Sequence, residues 1–183
     1  MSAPFIREAR ADELHKLPEI ERSAAALFEG EGHDMDILTN VTPGEVWAPR
    51  QAAGTVWVAD DGAGEAVGFL AAEVFKDELH VWELDVRQEA QGQGIGRRLM
   101  NHAIDWARGR GLARVTLTTF RDIPWNAPFY ASLGFAAVAA EDLSVRLAEV
   151  LSLETSKGLN PDERCAMVLE LRGGARSHRM GGA

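Results

Sequence analysis

The chain has 183 residues, 46% hydrophobic and 26% charged, with 28 acidic against 19 basic side chains and a net charge of −9. These proportions suit one globular domain with a sizeable core and exclude a disordered, collagen-like or disulfide-scaffold chain. The acidic balance repels phosphate backbones, so nucleic acid is not an expected partner; it attracts cations, amines among them, although acidity also serves plain solubility. The single Cys165 permits no internal disulfide. No apolar run approaches the ~20 residues of a membrane span, and Met1 to Glu8 lacks a basic stretch followed by an apolar one. No membrane partner is expected, and the expected location is the cytoplasm.

Phe5-Ile6-Arg7-Glu8-Ala9 predicts a first short strand. A helical stretch capped by Asp12 carries Leu14, Leu17, Ile20, Ala24 and Leu27 at helical spacing, with Pro18 placed to kink or split it. Glu29 to Asp36 reads as a polar loop, and Pro43 to Ala52 as a second short helix. Three strands follow, Thr55 to Ala59, Glu65 to Phe75 and Leu79 to Val86, with turns at Asp61-Gly62 and Lys76-Asp77. Connections this short predict an antiparallel meander. Gly94 to Arg110 is the strongest helix, with Ile95, Leu99, Ala103 and Trp106 on one stripe and Gly109 and Gly111 at its end. A β-rich run from Arg114 to Phe120 comes next, then a turn at Pro124 and a short helix from Asn126 to Leu133. A strand from Phe135 to Ala140, a helix from Ser144 to Thr155 and a strand from Cys165 to Leu171 complete the series. The order predicts a mixed α/β (α+β) sheet, antiparallel in its first half. A helical crossover makes the strand ending at Val86 parallel to the one starting near Arg114. One domain is expected over residues 1–172, and residues 173–183 read as a flexible tail.

The most informative segment is Gln91-Gly92-Gln93-Gly94-Ile95-Gly96-Arg97-Arg98, set between a strand and the strongest helix. Glycines let a backbone approach a ligand closely, and the free N–H groups of a first helical turn form an anion site. Pyrophosphate is the natural guest. A Walker A loop needs Gly-Lys-Ser/Thr, which is missing, and a dinucleotide fingerprint fails at Arg97 and Leu99, where its third glycine would fall. A glycine-rich turn that only admits the chain to a helix remains the plain alternative.

Gln91-x-x-Gly94-x-Gly96, preceded by Leu84-Asp85-Val86 and followed by a basic helix start, resembles the acyl-CoA signature of the GNAT superfamily of N-acetyltransferases. Downstream, Asn126-Ala127-Pro128-Phe129-Tyr130-Ala131-Ser132-Leu133-Gly134-Phe135 resembles the family's Asn…Phe-Tyr…Leu-Gly-Phe segment. The resemblance covers the chain from Phe5 to Leu171. It implies a GNAT-like, mostly antiparallel sheet with a splayed central parallel pair, flanked by helices. It implies acetyl-CoA as cosubstrate and no metal. The pantetheine would pair with the backbone around Leu84 to Val86, and the amides of Gln91, Gly92, Gln93, Gly94, Ile95, Gly96 and Arg97 would hold the pyrophosphate. Asn126 matches a residue that contacts the pantetheine arm, although it stands closer to the tyrosine than in many relatives. Tyr130, the only tyrosine, matches the residue that protonates the departing thiolate.

Acyl transfer needs a neutral amine, so a base or water chain must remove a proton. Strict alternation along Leu79 to Val86 puts His80, Trp82, Leu84 and Val86 on one face and Val81, Glu83 and Asp85 on the other. By resemblance, His80 and Glu83 are the candidates for the base or the amine contact, and a bulge near the strand end would bring both to the cleft. His80 as an edge-strand surface residue and Glu83 as a plain hydrogen-bonding carboxylate stay open. An acidic loop of Glu29, Glu31, Asp34 and Asp36, with His33, stands where relatives select substrates, and Trp47 and Trp125 are candidates for cation–π contact with an amine.

His33, His102 and His178 show no metal-ligand spacing. Cys165 has no partner for redox or nucleophilic work, and Ser132 lacks the first glycine of a nucleophile elbow. The sequence therefore reads as an acyltransferase moving acetyl from acetyl-CoA directly to a primary amine, expected to be small and cationic. A protein lysine or N-terminal acetyltransferase and a non-catalytic acetyl-CoA sensor on the same fold are the alternatives. Members of the family often form homodimers, and no residue here argues for one.

Overall fold

A computed structural model describes residues 4–28 and 40–171. The acidic loop of Glu29, Glu31, His33, Asp34 and Asp36 and the expected tail lie outside the described residues. Seven strands form one sheet in the order β1-β2-β3-β4-β5-β7-β6. They are β1 (Phe5–Glu8), β2 (Val56–Asp60), β3 (Ala66–Phe75), β4 (Glu78–Val86), β5 (Arg114–Phe120), β6 (Ala136–Ala137) and β7 (Arg164–Glu170). Helices α1 (Leu17–Ala25), α2 (Ala48–Ala52), α3 (Ile95–Gly109), α4 (Ala127–Ala131) and α5 (Val145–Ser156) flank it. Every strand pair is antiparallel except β4 with β5. That pair is joined by the long crossover through α3, as the order of elements requires. No helix among the described residues is long and apolar enough to cross a membrane.

Pro18 does split the first helical stretch. Residues Ala11–Lys16 form a 3₁₀ turn, and α1 begins at Leu17 with the proline in its first turn, where its missing N–H costs nothing. The stretch is capped at Arg10 rather than Asp12, because the Glu13 carboxylate reaches back to the Arg10 N–H at 2.7 Å. The predicted Phe135 to Ala140 strand shrinks to Ala136–Ala137, since the chain turns off into a 3₁₀ turn at Ala140 that leads to α5. Ser144 caps α5 by accepting the Leu147 N–H.

Two cores lie on opposite faces of the sheet. Leu99, Met100, Ala103 and Ala107 of α3 bury against Trp57, Leu70, Leu79 and Val115. Leu17 and Ile20 of α1, with Leu14 and Trp47, bury against Val56, Val58 and Phe69. The alternation of β4 across these faces is broken. Ala71 pairs with Glu83 but Ala72 pairs with Val81, so Trp82 is an extra residue, a β-bulge. Leu79, Val81, Leu84 and Val86 consequently all belong to the α3-side core. Glu83 and Asp85 stand opposite Ala71 and Phe69 on the α1 face.

Leu99 is fully buried under the sheet. Leu99→Ala should lower unfolding stability by about 2–5 kcal/mol, read as a fall in the urea midpoint at unchanged slope.

Candidate active site

β4 and β5 pair only through Glu78–Val81 and Arg114–Leu117. Beyond that point β4 stays bonded to β3 and β5 to β7, and the two halves of the sheet diverge. A cleft of ≈ 1350 Å³ opens in the gap. Its walls include β4 from Val81 to Val86, β5 from Leu117 to Phe120, the turn before α3, α4, α1 and α5.

At the α3 end the wall is a row of donors. Gly92 and Gly94 adopt φ of +71° and +73°, a conformation open to glycine and strained for other residues, and Gly94 is the N-cap of α3. The first helical bond runs from the Arg98 N–H to the Gly94 carbonyl. The N–H groups from Gly92 to Arg97 donate to no acceptor among the described residues. Unpaired N–H groups at the positive end of a 15-residue helix make a seat for an anion. The Gln91 amide donates to the Val86 carbonyl at 2.9 Å and fixes the turn against the end of β4. Arg97 donates to the Ser132 hydroxyl at 2.8 Å and lies over the Phe129 ring, tying this turn to α4.

Tyr130 is carried by α4 and is 9% exposed at the cleft wall, with its ring against Phe129 and Phe135. Burial, with the carboxyls of Glu83 and Asp85 nearby, pushes its phenol above the ordinary tyrosine range, so the hydroxyl stays protonated. Asn126 also lines the cleft. Its Oδ1 accepts from the buried Thr119 hydroxyl at 2.9 Å, which leaves Nδ2 enclosed without a partner.

Facing these from the α1 side are three carboxyls. The bulge at Trp82 turns Glu83 and Asp85 toward Glu21 of α1, whose carboxylate accepts the Thr42 N–H at 2.9 Å. Burial and mutual repulsion raise Glu83 well above the carboxylate range and lift Asp85 to about 7; burial alone lifts Glu21 to about 7.

The predicted residues are thus only partly assembled. Gln91, Gly92, Gly94, Ile95, Gly96, Arg97, Leu84, Val86, Asn126, Tyr130 and Glu83 line one cleft. Gln93 stands exposed in the same turn. His80 is not brought there. It is fully buried in the strand before the bulge, its Nδ1 3.0 Å from the Thr116 hydroxyl and its ring packed on Trp82. Burial, with Arg146 and Arg50 nearby, drives its pKa down to about 3, so it stays neutral. Trp47 and Trp125 line the cleft, but the cation over Trp47 is the protein's own Arg50, 5.5 Å from its ring. The bulge expected near the strand end is present at Trp82, and it brings Glu83 to the cleft but not His80. Sequence reasoning did not single out Glu21 or Asp85, which line the same cleft.

The family model for the acetyltransferase (GNAT) family matches residues 17–135. Among curated proteins, N-acetyltransferase 8F1 of Mus musculus is 29% identical over 106 residues, 54% of this chain and 47% of its own length. This chain therefore spans less than half the length of that relative. Among solved structures, the ribosomal-protein-S18-alanine N-acetyltransferase from Escherichia coli superposes with a TM-score of 0.67 at 18% identity, covering 95% of this chain and 97% of that one. N-acetylglutamate synthase from Neisseria gonorrhoeae, complexed with coenzyme A and N-acetyl-glutamate, gives 0.66 at 22% identity, covering 94% of this chain and 36% of that one. At such identities the structural likeness speaks for the fold. The family match spans more than half of the chain, from α1 through the glycine turn to Phe135, and on that ground this chain belongs to the acetyltransferase (GNAT) family.

Proposed function

We propose that the chain transfers an acetyl group from acetyl-CoA directly to the primary amine of a small cationic acceptor. The observation that carries this reading is the cleft itself, a break in the sheet with anion-binding N–H groups at one end, a protonated phenol in its wall and carboxyls on the far side. The donor set fits acetyl-CoA. Gly92 to Arg97 offer N–H groups for a pyrophosphate, the edge of β4 beyond Val81 carries no strand, and the Asn126 amide presents an unused donor. A structural neighbour crystallised with coenzyme A supports the same guest. Bound there, acetyl-CoA supplies an activated acyl carbon. Tyr130, 9% exposed in the cleft wall, donates its proton to the thiolate as the C–S bond breaks. Glu83 meets the acceptor on the opposite side. His80 takes no part, since a neutral imidazole bonded to Thr116 outside the cleft cannot reach the amine.

One comparison favours a second reading. The E. coli neighbour is an alanine N-acetyltransferase of a ribosomal protein, which points to a protein N-terminus as acceptor.

The test is thiol release from acetyl-CoA across polyamines, aminoglycosides, aryl-alkylamines, amino acids and peptides. Selective release with small cationic amines supports the proposal; release with peptides alone transfers it to the second reading. Acetyl-CoA binding without release by any acceptor leaves a sensor. Tyr130→Phe should cut kcat by about 10²-fold or more while leaving the KM for acetyl-CoA within about twofold. Gly94→Glu, which sets a negative side chain at the anion seat, should abolish acetyl-CoA binding by calorimetry. The His80 ring resonances should show no protonation step between pH 5 and 9.

A further inference from the structure

We propose that Thr119 is a positioning residue: its hydroxyl locks the Asn126 side-chain amide in the orientation that offers Nδ2 to a carbonyl oxygen of the acyl donor's pantetheine arm. This rests on the acetyltransferase reading and extends it from Asn126 to a residue on which that reading places no demand.

Thr119 ends an apolar row. Alternation along β5 sets Val115, Leu117 and Thr119 on one face, and the first two belong to the α3-side core. Thr119 is 3% exposed and stands in register with the buried Cys165 of β7. It lies just past Leu117, where pairing with β4 has ended, and it lines the cleft. A hydroxyl in such surroundings must find a partner or cost free energy. The partner is Asn126, whose Oδ1 accepts the Thr119 hydroxyl at 2.9 Å.

Asn126 departs from the usual behaviour of its position. It is the N-cap of α4, where an asparagine oxygen ordinarily accepts an N–H of the first helical turn. Here the side chain makes no such bond. Pro128, second in the helix, has no N–H to give, and Oδ1 crosses to β5 instead. The helix is held by the backbone. The Asn126 carbonyl accepts the Tyr130 N–H at 3.0 Å, and the Asn126 N–H donates to the Ile123 carbonyl at 2.9 Å. The place of Tyr130 is therefore independent of the Asn126 side chain, whose orientation is left to Thr119.

With Oδ1 engaged, the free end of the amide is a donor. Nδ2 is enclosed without a hydrogen-bond partner, and Asn126 lines the cleft beside Thr119. A buried donor in that condition costs free energy until an acceptor arrives. A neutral amide suits an uncharged carbonyl oxygen, and the phosphates have the N–H row from Gly92 to Arg97. Once the Thr119 hydroxyl is removed, turning the amide over breaks no hydrogen bond, and the turned state sets Oδ1 as an acceptor against an acceptor.

Calorimetry with acetyl-CoA and with ADP, which carries the pyrophosphate but no pantetheine, tests the proposal on three variants. Thr119→Val keeps the shape and removes the hydroxyl; it should weaken acetyl-CoA binding about tenfold and leave ADP within about twofold. Thr119→Ser keeps the hydroxyl and should bind both within about twofold of the unaltered protein. Asn126→Asp keeps an acceptor for Thr119 but removes the donor, so it should weaken acetyl-CoA at least as much as Thr119→Val. In turnover with the best acceptor of the amine panel, Thr119→Val should raise the KM for acetyl-CoA about tenfold with kcat within about twofold. Unchanged acetyl-CoA binding in Thr119→Val, equal weakening of ADP, a loss that Thr119→Ser shares, tight acetyl-CoA binding by Asn126→Asp, or a fall in kcat without a rise in KM would each overturn the proposal alone. If the unaltered protein binds no acetyl-CoA at all, the acetyltransferase reading falls and takes this one with it.

Discussion

The structure turns on an incomplete strand pairing. Four residue pairs join β4 to β5, after which each strand keeps only its outer neighbour. Backbone donors and acceptors on a strand edge demand partners, and a break in the middle of a sheet exposes them where a ligand, and not another strand, can answer. The divergence is braced on both sides. β3 holds β4 through eight register pairs and β7 holds β5 through seven, so the gap is a fixed feature of a rigid frame. The α3 crossover that makes the pair parallel also delivers its N-terminus to the mouth of the gap.

Charge is divided across that gap. The chain is acidic overall, yet it makes an anion seat from neutral material, the unpaired N–H groups of Gly92 to Arg97. Backbone donors carry no desolvation cost comparable to a buried guanidinium, and the helix dipole adds to them. The opposite wall gathers three carboxyls, Glu21, Glu83 and Asp85, whose burial holds them above the ordinary carboxylate range. The unpaired N–H groups and the carboxyls thus line different sides of one cleft, and Tyr130 lines it with them.

Much of this was legible in the sequence. The 3.6-residue stripe of α3, the short turns of the meander and the order of elements fixed a mixed sheet with one parallel pair. The glycine turn and the Asn126 to Phe135 segment were expected at one site, and Gly92, Gly94, Asn126 and Tyr130 line one cleft. The opposite wall was legible only in part: Glu83 and a bulge near the strand end were expected, but not the position of the bulge. Alternation assumes an unbroken strand, and the extra residue at Trp82 reverses the faces of everything after it, uniting Val81 with Leu84 and freeing Glu83 and Asp85 to meet Glu21. His80 lies before the bulge and Glu83 after it, so one disruption decides which of the two reaches the cleft. Glu21 sits 62 positions from Glu83 in a helix whose charged residues look alike in sequence.

The central claim is that the gap between β4 and β5 is where acyl transfer occurs. A crystal structure with bound acetyl-CoA tests it most directly. The account predicts the pyrophosphate on the N–H groups of Gly92 to Arg97, the pantetheine along β4 beyond Val81, and the thioester between the Tyr130 hydroxyl and the carboxyls of Glu83 and Asp85. Acetyl-CoA bound outside the gap, or a thioester facing away from Tyr130, would contradict it.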